Sequence, residues 1–106
     1  MVKIYFTTKN PLELEVTGHA QAAEKGKDLI CCAISMLTQT LSIYMKKLNE
    51  LGLANLLKND VEEGHAHIVA LDNNWSKEAR TAFAVIGVGL RELAEEYKQY
   101  IEIEEE

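Results

Sequence analysis

One proline in 106 residues leaves little to break helices, and two cysteines leave little to staple the chain. Those two, Cys31 and Cys32, are adjacent, and neighbouring helical positions diverge by about 100°. A bridge between them is disfavoured, which excludes a secreted disulfide framework and leaves a reduced thiol. Lysine and arginine total 11 against 17 acids, a net charge of −6. Chains that wrap nucleic acid need clustered cations to neutralise phosphate, so no direct nucleic-acid partner is expected. Long uninterrupted apolar runs are missing too, and Met1 to Phe6 alternates instead of forming a signal-peptide core. A cytoplasmic location with no membrane partner is the expectation.

What remains is the composition of an ordinary globular domain. With 47% hydrophobic residues, one modest core can form without metal or disulfide staples, and residues 1–106 read as a single domain. Val2, Ile4 and Phe6 alternate with Lys3, Tyr5 and Thr7, and Leu12, Leu14 and Val16 alternate with Glu13, Glu15 and Thr17. Period two with one buried face predicts two strands, paired as a hairpin across Lys9-Asn10-Pro11. From Asp28, a plausible N-cap or first-turn acid, to about Leu48 the spacing is helical, with Leu29, Ala33, Met36, Leu37, Thr40, Leu41, Tyr44 and Leu48 as the apolar stripe. Gly52 ends it.

Strands are predicted over Ala54 to Glu62 and His65 to Leu71, the latter covered on both sides. Ser76 to about Tyr97 is a second helix with Ala79, Phe83, Ile86, Leu90, Leu93 and Tyr97 on its stripe. Gly87 and Gly89 interrupt that helix, which points to close packing. Trp75 reads as packing. Tyr100 to Glu104 is a short last strand, although the acids at the end, Glu102 and Glu104 to Glu106, also read as a solvated tail. The fold class is α+β, ββαββα with an optional final β, a mixed sheet layered with two long helices.

Chemistry concentrates between Gly18 and Ser35. Gly18 and Gly26 bracket a loop that is expected to move, with His19 at its start. Cys31 falls at about the third helical residue, where free N–H groups and the helix dipole make thiolate more available. On the predicted stripe Cys31 points outward with Asp28 and Ser35, while Cys32 lies on the stripe's flank as a small buried hydrophobe. The residues alone leave open a bland alternative, an inert first-turn Cys31 and an ordinary loop His19. His65 and His67 with Glu63 fall short of a four-ligand set, so no metal or other cofactor is expected.

The run Gly18-His19-Ala20, then Gly26, Asp28-Leu29-Ile30-Cys31 and Ser35, resembles the signature of the ribosomal-processing cysteine protease family, Prp. The His-to-Cys interval, the second glycine, the preceding Asp and the following Ser match together. That resemblance implies a bacterial cytoplasmic endopeptidase, acting as a homodimer, that removes the N-terminal extension of large-subunit ribosomal protein twenty-seven. It implies Cys31 as nucleophile and His19 as general base. Asp28, Ser35, Gly18 and Gly26 would be supporting residues. Where the family usually has a small alanine-like residue, this chain has Cys32. The competing expectation is a non-catalytic ribosome-associated or assembly module using the same acidic surface.

Overall fold

Alternation sets the first hairpin. In the computed structural model, which describes residues 1–18, 25–73 and 76–106, β1 (Val2–Thr7) and β2 (Leu12–Thr17) pair antiparallel, with Ile4 opposite Val16 and Phe6 opposite Leu14. Their apolar residues are all buried, because a period of two sends alternate side chains to one face. A helix, α1 (Lys25–Glu50), follows. Then come β3 (Asn55–Glu62), β4 (His65–Leu71), α2 (Glu78–Glu96) and β5 (Ile101–Glu105).

The sheet runs β3-β4-β2-β1-β5, antiparallel except for the β1–β5 pair, which is parallel. The sheet is therefore mixed, as expected, and the optional strand exists. Both helices pack on one face, over Val2, Ile4, Phe6, Leu12, Leu14, Val16, Ala66, Ile68, Ala70 and Ile101. One expectation is corrected by this one-sided layering. β4 is not covered on both sides: Ala66, Ile68 and Ala70 are buried, whereas His65, His67, Val69 and Leu71 are half-buried on the open face. The terminal acids are solvent-exposed, as expected, but their backbone is ordered into β5 and two of them take partners. Glu105 pairs with Arg91 at 2.5 Å, and the Tyr5 hydroxyl donates to the Glu106 carboxylate at 2.5 Å.

The α1 stripe is also corrected. Its buried residues are Ile30, Ile34, Thr38, Leu41, Met45 and Leu48, while Leu29 is 71% exposed, Met36 62% and Tyr44 41%. The true core face is rotated by roughly 70° from the predicted one, taking 100° per residue. Apolar residues lie all round this helix, so periodicity alone had no single answer to find. Thr38 was missed for its hydroxyl, which is buried and donates to the Ile34 carbonyl at 2.8 Å. By length and composition Leu29–Glu50 could cross a membrane. In this fold one of its apolar faces is instead spent on the sheet.

Gly52 closes α1 with φ +74°. Its N–H reaches the Asn49 carbonyl at 3.2 Å and that of Leu53 the Leu48 carbonyl at 2.9 Å, the paired bonds of a Schellman cap. The two helical glycines of α2 pack closely, as expected. A Cβ at Gly87 would lie 2.7 Å from the Phe6 ring, and one at Gly89 would lie 3.1 Å from a Leu37 methyl.

These contacts predict opposite outcomes. Ala in place of Gly gains about 1 kcal/mol of helix propensity. At position 87 that gain meets the fully packed Phe6 ring, and overpacking costs about 1–3 kcal/mol. At position 89 the neighbour is the end of a partly buried leucine that can turn aside. Thermal unfolding should show Gly87→Ala less stable than the parent and Gly89→Ala at least as stable.

Candidate active site

Cys31 is the seventh residue of α1, nearly two turns in, not the third. The helix begins at Lys25, so Asp28 is not an N-cap, and Gly26 and Asp28 both sit in the first turn. This moves Cys31 beyond the four free N–H groups of the helix start, and the dipole's influence fades within that first turn. Helix-terminus stabilisation of a thiolate is therefore not available to it in the form the spacing suggested.

The two sulfurs also exchange environments relative to expectation. Cys31 is half-buried and packs against the core cluster, whereas Cys32 is exposed. The cause is the rotated stripe: Cys31 borders the face holding Ile34 and Thr38, and Cys32 lies on the outward side with Met36. Neither cysteine is in a disulfide. Ser35, one turn beyond Cys31, is exposed. His19 and the expected loop ordering fall in residues 19–24, outside those described, as does Trp75, and the Asp28 side chain is likewise outside the description.

Gly18 is fixed at the end of β2. It has φ +92°, a region that favours glycine, and a Cβ there would meet the Met1 carbonyl oxygen at 2.5 Å. Its N–H donates to the Gly64 carbonyl at 3.1 Å. The segment that follows thus departs from a point tied to both β1 and the β3–β4 turn, and it rejoins described structure at Lys25, six residues before Cys31.

Away from the sulfur, an apolar groove runs between the helices, lined by Thr40, Tyr44, Thr81, Ala82, Val85 and Ile86. Thr40 lies nine residues past Cys31, about 14 Å along the helix axis, so the groove serves the outer helical surface. On the opposite side of the molecule the open sheet face is acidic. There the bond to Glu106 holds Tyr5 in its neutral donor form and pushes its phenol up to about 12.

His65 and His67 take partners the sequence reading missed. Glu63 plays no part; His67 Nε2 stands 2.6 Å from Glu13 and His65 Nε2 3.1 Å from Glu15. The available signal was strand register, since Glu15 lies directly opposite His67 once β2 neighbours β4. Strand order, which alternation does not encode, was the missing step.

Residues 1–102 match the family described as Cysteine protease Prp. No curated protein matches the chain. Among solved structures, the fold is similar to that of the essential ribosomal processing protease Prp from Staphylococcus aureus in complex with a substrate peptide, at 22% identity and TM-score 0.77 with both chains fully covered. The same enzyme with a covalently linked product peptide aligns at 24% and 0.73, again over both whole chains. SMU.848 from Streptococcus mutans aligns at 24% and 0.66, over 98% of this chain and 90% of that one.

Proposed function

The chain belongs to the Prp family of cysteine proteases, and from that premise we propose that it removes the N-terminal extension of large-subunit ribosomal protein twenty-seven, with Cys31 as nucleophile and His19 as general base. Membership of a protease family favours this reading over the non-catalytic assembly module. The observation that carries the residue assignment is the placement of Cys31 on α1 just after a segment anchored at Gly18. His19 is one residue beyond that anchor in the sequence, which supports assigning it as the partner of the sulfur.

In this mechanism the Cys31 thiolate attacks the scissile carbonyl carbon, forming an S–C bond and a tetrahedral oxyanion. Collapse breaks the C–N bond, and the departing amine takes its proton from His19. His19, now neutral, removes a proton from water as it attacks the thioester, and the Cys31 thiolate leaves. Because Cys31 lies beyond the helix start, the imidazolium of His19 carries the stabilisation of the thiolate that the dipole does not. Gly18, Gly26, Asp28 and Ser35 support this pair, Gly18 by fixing where the His19 segment departs. The test is a peptide spanning the extension, incubated with the parent and with Cys31→Ala and read by mass spectrometry. A cut made by the parent alone supports the assignment; equal cutting by both defeats it.

The acidic surface, net charge −6, suits a basic ribosomal protein and speeds encounter more than it selects. Unbridged adjacent thiols and such a substrate are consistent with a cytoplasmic enzyme. The homodimer forms through the outward face of α1. Leu29, Met36 and Ile43 recur at seven-residue intervals, 62–71% exposed, and Val85 and Val88 of α2, each 62% exposed, extend the apolar surface. A seven-residue apolar repeat is the spacing that helices use to pair. Ile43→Glu is expected to raise the dimer dissociation constant by tenfold or more, about 1.4 kcal/mol, without lowering the unfolding temperature of the monomer. Sedimentation showing an unchanged dimer would place the interface elsewhere.

A further inference from the structure

The open sheet face holds a donor set unrelated to the proposed dyad. Glu13 and Glu15 are two apart on β2 and share one side of it; His67 on β4 lies directly opposite Glu15 and diagonal to Glu13. One ligand atom from each of the three falls within 4.8 Å of the other two. His67 Nε2 is 2.6 Å from Glu13 Oε2, and its Nδ1 is 4.0 Å from Glu15 Oε2. Glu15 Oε2 is also 3.1 Å from His65 Nε2. The side chains of His67 and Glu13 are only 19% and 26% exposed. The strands therefore present one nitrogen and two carboxylates on a rigid, half-covered platform.

We propose that Glu13, Glu15 and His67 bind a divalent transition ion of the zinc class, with water completing the shell and His65 holding Glu15 from outside it. Two carboxylate groups and one imidazole are the hard and borderline donors that ions of this class accept. Tetrahedral zinc with bonds of about 2.0–2.1 Å separates its ligands by about 3.3 Å. His67 ligates through a single nitrogen, and with one ligand atom from each residue within 4.8 Å of the other two, turning the two carboxylates closes the set toward that spacing without moving a strand. The ligand forms are neutral imidazole and carboxylate, so affinity is expected to rise with pH. The hydrogen bond from His65 to Glu15 is the outer support that such ligands commonly have. This set also braces the strand end that leads to Gly18, because Thr17 pairs with His65. Cys31 packs on the other face of the sheet and takes no part.

The experiment is calorimetric titration of Zn²⁺ into the whole chain after alkylation of Cys31 and Cys32, which removes sulfur as a competing ligand. One equivalent is expected to bind, with His67→Ala and Glu13→Gln each weakening binding by at least about tenfold and Glu63→Gln leaving it unchanged. Absence of saturable binding, or binding that survives His67→Ala and Glu13→Gln, overturns the proposal. Should either variant fail to fold, the imidazole nitrogen resonances of the alkylated parent decide. Those of His67 must move to saturation at one equivalent; movement of His19 alone overturns the site.

Discussion

Cys31→Ala is expected to abolish cleavage of the extension peptide, a loss on the order of 10⁶-fold when the nucleophile of a cooperating pair is removed. Cys31 is half-buried against the core, so losing one sulfur costs about 1 kcal/mol or less of packing, and the variant should remain folded. Cys32→Ala is the matched control. Its side chain is exposed on the outward face of α1, and turnover should be unchanged. The reverse result, with position 32 essential and position 31 dispensable, would transfer the nucleophile to the neighbouring residue.

His19→Ala should slow cleavage by about 10² to 10⁴, the range of a positioned acid-base group. The same variant separates two explanations of thiol reactivity. In the monomer, at a dilution below dimer assembly, exposure alone ranks Cys32 ahead of Cys31 toward an alkylating reagent. If His19 ionises Cys31, the parent enzyme reverses that order, and His19→Ala restores it. Mass spectrometry of partially alkylated protein reads both rates at once. Slower labelling of Cys31 than Cys32 in the parent, together with unchanged turnover in His19→Ala, would remove the histidine from the mechanism.

Much of the fold was legible because strands with one buried face announce themselves. Alternation located β1 and β2 to the residue and β4 over its full length. The stripe of α2 was found because Ala79, Phe83, Ile86 and Leu90 are its main apolar residues on one side. In α1 the same method misplaced the core face, since Leu29, Met36 and Ile43 are as apolar as Ile30, Ile34 and Leu41 but lie outward. That single rotation also exchanged the expected environments of Cys31 and Cys32. Position along the helix was misjudged because α1 starts three residues before Asp28, at a lysine that no capping preference singles out. The Glu–His group on the open face escaped notice for a different reason: its members meet only through the β2–β4 pairing, a long-range choice that local pattern does not contain.

The parallel pairing of β1 with β5 joins Val2 to Ile101 and Phe6 to Glu105. During synthesis β1 must wait, with the backbone flank that β5 will cover bonded only to water, until the β5 segment has emerged. Closure of such distant partners is entropically slow. The nascent protein should therefore acquire its complete sheet only after release of the β5 segment from the exit tunnel, and shortened chains lacking that segment should be vulnerable to edge-to-edge association.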